Sequence, residues 1–309
     1  MQVMNKYING IVLSLILLSS SFVVSSCGGD NGTVDDPSDE PWGWNKGDKD
    51  NDKKDEETDG KTYYPKVSGS FRIMSYNIGS FGKYITSVTD NIKMVSSMIA
   101  EIQADAVTLN ELDSVNTRHN VNEVKLLAES LGGWNWHFGR AIAYRGGAYG
   151  NGCVVPKEAK VVERYTVALP KDTGAEHRSI AVIETDEYVL GAAHLDHTSS
   201  AAQLAQVAAV NAWAQQRYSK SSKPVFFCGD MNATPGSETI TALKESWDML
   251  SSTENSFPSR EANSCIDYIF HYKNSAPVKL VGAHTMTKFY KGDVTMASDH
   301  LPIYADVQF

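Results

Sequence analysis

The sequence predicts an α/β fold built on mixed β-sheet, and three observations carry that expectation. From residue 71 onward, short β-rich runs alternate with helical ones. Some consecutive strands are separated by hairpin-length connections and others by helical crossovers, which favours a mixed sheet or a pair of sheets over a parallel barrel. No shift in composition and no repeat interrupts residues 62–309, so they read as one domain.

The elements follow in order. FRIMSYNI (71–78) is apolar and β-branched enough for a buried strand. Residues 87–102 place Ile92, Val95, Met98, Ile99 and Ile102 on one helical face. ADAVTLNEL (104–112) is a second strand, followed by a helix over about 120–131 and strands near 136–143, 150–156 and 161–169. RSIAVIET (178–185) and YVLGAAHL (188–195) are close enough for a hairpin through Asp186 and Glu187. The Ala-rich segment 199–218 is helical, and PVFFCGDM (224–231) is a strand closed by a turn through Pro235. Ser237 caps the next helix, with Glu238 and Thr239 in its first turn. CIDYIFHY, VKLVGAHTM and PIYADVQF make the last third strand-rich.

The chain has 309 residues and a formal net charge of −9, unevenly spread. Residues 28–61 hold 12 acids against 5 lysines, whereas 62–309 hold 25 acids and 22 bases. A nearly neutral body lacks the strongly basic footprint of a protein that grips long nucleic acid through its phosphates. The same segment 28–61 has almost nothing to bury and is expected to be a disordered acidic tether. Before it, Lys6 precedes the apolar run 11–24, too short to span a bilayer comfortably, and Val24-Ser25-Ser26-Cys27 resembles the bacterial lipobox. Residues 1–27 are therefore expected to be a lipoprotein signal peptide. Cys27 would be the lipidated residue that anchors the exported chain to a bacterial membrane, on a periplasmic or cell-surface face. Cys153, Cys228 and Cys265 sit in apolar runs at irregular spacing, which favours buried thiols, with one disulfide left open.

Chemistry concentrates where apolar runs end in Asn, Asp, Glu or His. SYN ends at Asn77 and TLNE at Glu111; AAHLDH ends at His194, Asp196 and His197; CGDMN ends at Asp230 and Asn232. IDY places Asp267 in the middle of a strand, and SDHLP sets Asp299 and His300 before the last one. A lone Asp after a strand is usually a turn or cap residue, but six such ends in one domain point further. Carboxylates with an amide suit a hard divalent ion, and histidine beside a carboxylate suits a general base. Together, with no covalent nucleophile, they indicate phosphate-ester hydrolysis. Competing motifs fail: HLDH lacks the first histidine of an HxHxDH metal motif because residue 192 is alanine, and neither GxSxG nor a P-loop is present.

The ordered set SYNI, TLNE, AAHLDH, GDMNATP, IDYIF and SDHLP resembles the endonuclease/exonuclease/phosphatase superfamily from about residue 70 to 309. Asn110 stands where that family more often has Gln, and Met231 replaces a usual Phe. The resemblance implies a four-layered sandwich, two mixed β-sheets face to face with helices outside. It implies Mg²⁺ as cofactor, with Mn²⁺ able to substitute, held by Glu111, Asn77 and Asp299. It makes His300 the base that takes a proton from water, Asp267 its orienting carboxylate, and Asp230 the group that positions the nucleophile. Asn232 and His194 become donors to phosphoryl oxygens. Tyr149, Asn151, Arg178, Asp196 and His197 are further candidates for contact with substrate, although Asp196 equally fits a helix-capping turn and Arg178 a structural ion pair. The substrate stays open among nucleic acid, phospholipid head groups and phosphorylated sugars or inositols, and no protein partner is implied. The alternative is a surface-attached binding protein that has kept the fold without catalysis.

Overall fold

The computed structural model describes residues 60–309; the expected signal peptide with Cys27, and the tether to residue 59, lie outside them. Two six-stranded sheets form the body. The first contains β1 (Phe71–Asn77), β2 (Ala106–Ser114), β3 (Asn135–Tyr144), β4 (Gly147–Val155), β11 (Lys279–Thr285) and β12 (Ile303–Gln308), in the order β11-β12-β1-β2-β4-β3. The second contains β5 (Val161–Leu169), β6 (Arg178–Thr185), β7 (Val189–His194), β8 (Val225–Asp230), β9 (Trp247–Met249) and β10 (Asp267–Tyr272), in the order β5-β6-β7-β8-β10-β9. Each is mixed: β1 with β2, and β7 with β8, run parallel, and the other neighbours are antiparallel.

Both faces of the central strands are buried, which is why they read as continuous apolar runs. Successive side chains alternate between cores. Ile73, Ala106, Phe226, Cys228 and Ile269 face the space between the sheets. Met74, Val107 and Tyr76 face outward onto α1 (Val88–Glu101) and α2 (Glu123–Ser130). Phe227, Tyr268 and Phe270 face the other way, onto α3 (Ser200–Tyr218) and α4 (Glu238–Ser246). Three cores separate four layers, the sandwich that the resemblance implies.

The helices start where the sequence provides caps. Ser87, Asn122, Ser199 and Ser237 each accept a hydrogen bond from a backbone N–H three residues on. Ile92, Val95, Met98 and Ile99 bury the expected face of α1. Cys153, Cys228 and Cys265, the three cysteines among the described residues, are buried and free.

Two boundaries differ from expectation. Glu111 does not end β2, which continues to Ser114 through an irregularity between Leu109 and Leu112. At its centre Glu111 adopts φ 60°, a left-handed conformation at the one extra residue that β2 carries against β4, which re-aims its side chain. Asp267 opens β10 rather than lying mid-strand, because its partner β8 stops at Asp230 and the pair Asp267–Asp230 is the last rung. The short β9 and the four-residue α5 (Val294–Ala297) carry too little periodicity to be read from sequence.

Candidate active site

Strand direction gathers the polar residues. β1, β2, β7 and β8 run toward one edge of the sandwich and deliver Asn77, Glu111, His194 and Asp230 there. β10 and β12 run the opposite way, so Asp267 and the Asp299-His300 turn arrive at the same edge from their N-terminal ends. Register tightens the cluster: Asp230 lies opposite His194 on one side and Asp267 on the other. The result is a cleft of about 290 Å³ whose walls include Glu111, His194, Asp230, Asn232, Asp299 and His300.

The sheets meet through amides. Asn77 Nδ2 donates to Glu111 Oε1 at 3.0 Å and to Asp230 Oδ2 at 3.1 Å. Beneath it, Asn110 accepts from the Asp230 backbone N–H at 3.0 Å and donates to Asn151 Oδ1 at 2.9 Å and to the Ala193 carbonyl at 2.8 Å. Asn151 passes the link to the Ser179 carbonyl. Asn110, which the sequence showed only as a departure from the family pattern, is the side chain that ties β2 to both central strands of the second sheet.

His300 is buried, with Nδ1 2.9 Å from Asp267 Oδ2 and its ring 4.7 Å from that of Phe257. Ser256 donates to the same Asp267 oxygen at 2.6 Å and holds the carboxylate in place. Asp230 Oδ2 stands between two imidazoles, 3.7 Å from His300 Nε2 and 3.5 Å from His194 Nε2. Burial alone would lower the His300 pKa, but Asp267, with Asp230 and Asp299 behind it, outweighs burial and pushes it up to about 10. Burial and then Asp267 raise Asp230 to about 7. Burial, followed by the charges of Arg178, His300 and His197, drives the His194 pKa well down, so His194 is a neutral donor or acceptor. Its Nδ1 is buried without a partner.

The charge balance bears on a cation. Glu111, Asp230 and Asp299 line the cleft with Asp267 behind His300, and Asp299 already draws the Lys83 ammonium to 2.7 Å. Glu111 and Asp299 both line the cleft, with the Asn77 amide against Glu111. Two carboxylates give oxygen donors that suit a hard divalent ion, whereas the Asn77 amide turns its nitrogen to Glu111 and Asp230 and its oxygen to the Gly79 N–H.

The other candidates divide. Tyr149 lines the cleft, and burial followed by the Glu111 charge pushes its phenol pKa well up. Arg178 is 3% exposed, contacts Glu176 at 3.1 Å and His197 Nδ1 at 3.0 Å, and leaves Nε without a partner. Asn151 sits behind the cleft in the inter-sheet link. Asp196 is fully buried, and its oxygens accept from Thr198, Ser199 and Ala175, so it holds the turn that leads into α3. Asn232, at φ 48°, shares with Glu111 a conformation uncommon for residues with a side chain. Sequence reasoning missed Ser256, Phe257, Glu176 and Lys83, which lie in loops with no strand-end signal.

The sequence model described as the Endonuclease/Exonuclease/phosphatase family matches residues 74–300. The chain belongs to this family. Structural comparison agrees on the fold. A mannosyl-6-phosphatase of Bacteroides thetaiotaomicron superposes with TM-score 0.64 at 15% identity, over 78% of this chain and 100% of that one. An endonuclease/exonuclease/phosphatase of Bacteroides vulgatus gives 0.63 at 17%, over 78% and 99%. The human Nocturnin catalytic domain, with a bound sulfate anion, gives 0.60 at 18%, over 78% and 94%. No curated protein matches in sequence.

Proposed function

We propose that this family phosphoesterase hydrolyses a phosphate ester with water, His300 acting as general base in its neutral form, which a cation's charge in the cleft would favour against the carboxylates that raise its pKa. The observation that carries the reading is the Asp267–His300 hydrogen bond. It fixes a proton on Nδ1 and turns Nε2 toward Asp230 and the cleft. A water on that side gives one proton to Nε2 and a hydrogen bond to the Asp230 carboxylate, its oxygen bonding to phosphorus as the P–O bond to the leaving group breaks, and the leaving oxygen takes a proton from solvent. Asn232, neutral His194 and Arg178 receive the phosphoryl oxygens as charge builds in the transition state. Glu111, Asn77 and Asp299 would hold Mg²⁺, or Mn²⁺ in its place. The ion supplies charge neutralisation at the phosphoryl oxygens when bound.

Neighbours of the same fold include a mannosyl-6-phosphatase, and the buried Arg178 facing the cleft favours a terminal phosphate with its extra charge over a diester. Nucleic acid enters the reading only as a substrate. The expected lipid at Cys27 would anchor the exported enzyme to a bacterial membrane, on a periplasmic or cell-surface face, and radiolabelled fatty acid should label the chain but not Cys27→Ser.

Turnover of p-nitrophenyl phosphate and of bis-p-nitrophenyl phosphate tests the reaction, each with Mg²⁺, Mn²⁺ or EDTA. Metal-dependent turnover that Glu111→Ala removes supports it. Turnover indifferent to EDTA and to Glu111→Ala overturns it.

A further inference from the structure

Beside the catalytic cleft lies a second cavity of about 210 Å³, and the two share Tyr149 and Glu176 as lining residues. It is built at the free end of the β3–β4 hairpin. Arg145 (φ 47°) and Gly146 (φ 84°) form the two-residue turn, with both residues in the left-handed region that this tight connection requires. Register then places Ile142 directly opposite Tyr149, after an irregularity between Arg140 and Ile142, and Asp113 of β2 opposite Tyr149 on its other side. Tyr144, two residues beyond Ile142, shares that face, so two tyrosines and an isoleucine make one wall.

Arg118 closes the cavity from the loop after β2. Its guanidinium is held flat by both oxygens of buried Asp113, at 2.6 and 2.8 Å, and donates to Ser80 Oγ at 2.6 Å. So fixed, it stands 5.1 Å from the Tyr144 ring and 5.9 Å from the Tyr149 ring. Arg145 also stands over the Tyr144 ring, 5.3 Å from its centroid. Asp113 is in turn braced by His119, 3.4 Å away.

We infer that this cavity is the subsite for the group esterified to the phosphate, and that it takes a polyhydroxylated ring, a monosaccharide. The inference rests on the phosphoesterase reading above. Three features select the ring. The tyrosine planes are tilted by 49°, with centroids 5.8 Å apart, so they do not form a parallel slot for a flat base. Their electron-rich faces suit the polarised C–H groups of a puckered ring. The Arg118 guanidinium and the Glu176 carboxylate, which also holds Arg178, line the same cavity and offer ring hydroxyls a donor and an acceptor. The volume also fits one ring rather than a larger ligand.

Binding and turnover separate the two levels. Calorimetry with Mg²⁺ in the full-length His300→Ala protein, which keeps the ester intact, compares glucose 6-phosphate, AMP and the ring-free ethyl phosphate. Glucose 6-phosphate should bind at least tenfold more tightly than ethyl phosphate. Tyr144→Ala and Arg118→Met, each added to that background, should cut the ratio at least fivefold. A ratio unmoved by either substitution overturns the subsite. Preference for AMP that depends on Tyr144 overturns the sugar assignment in favour of a nucleotide. Wild-type turnover of the same esters, measured beside it, reports on the phosphoesterase reading alone.

Discussion

His300 and Asp267 are joined by a 2.9 Å hydrogen bond inside the protein, with Ser256 donating to the same carboxylate oxygen. The bond sets both the tautomer and the direction of the imidazole. Asp267→Asn preserves shape but removes the charge, so kcat should fall by roughly 10²-fold, toward the lower end of what a general base contributes. The His300 pKa, read by NMR titration of the imidazole, should drop from its raised position. A kcat within twofold of wild type would remove Asp267 from the mechanism.

Glu111→Gln keeps the side-chain volume and one oxygen donor. Mn²⁺ affinity, measured by calorimetry, should fall by at least about 10–100-fold, since ligand charge dominates the hold on a hard ion. Unchanged affinity would place the ion elsewhere.

Stability without metal should decrease as pH rises. Asp230 is raised from 3.8 to about 7, so its folded-state advantage is complete below pH 3.8 and is lost as pH climbs through about 7. His300 is raised from 6.5 to about 10, so its contribution is complete below pH 6.5 and is lost as pH climbs through about 10. The signs agree. Thermal midpoints in EDTA should fall between pH 6 and 10, and Mg²⁺ should reduce the fall by compensating the exposed carboxylate charge. A midpoint flat across that range would contradict the electrostatics described for the cleft.

Asn110→Ala removes three buried hydrogen bonds that link the sheets and leaves the Asp230 N–H, the Ala193 carbonyl and Asn151 short of partners. Urea denaturation should show a loss of about 3 kcal/mol. A loss below about 0.5 kcal/mol would mean that water or rearrangement replaces the link.

The architecture was legible because buried sheets write themselves as apolar runs, and strands such as Val161–Leu169 and Arg178–Thr185 have the boundaries read from sequence. The polar residues that gather at the candidate site were legible because parallel strands end together, so Asn77, His194 and Asp230 appear as polar stops. Glu111 was found although its strand does not end there, since a bulge and a strand end interrupt an apolar run alike. Asp196 carried the same signal for a different reason, namely a turn that needs its carboxylate. Arg118, Tyr144 and Glu176 gave no signal. They come from a loop, a hairpin tip and a strand approach, and only the register of β2, β3 and β4 brings two of their elements together. Ser256 is equally silent, one serine in a loop whose partner Asp267 is 11 residues away.

The most direct measurement is the Mg²⁺-dependent kcat of His300→Ala on the best phosphoester, beside wild type, with circular dichroism and thermal midpoint to confirm a folded chain. Loss of about 10²–10⁴-fold in kcat, with the fold retained, is the expected result. A folded His300→Ala protein that turns over at the wild-type rate would contradict water activation by this histidine.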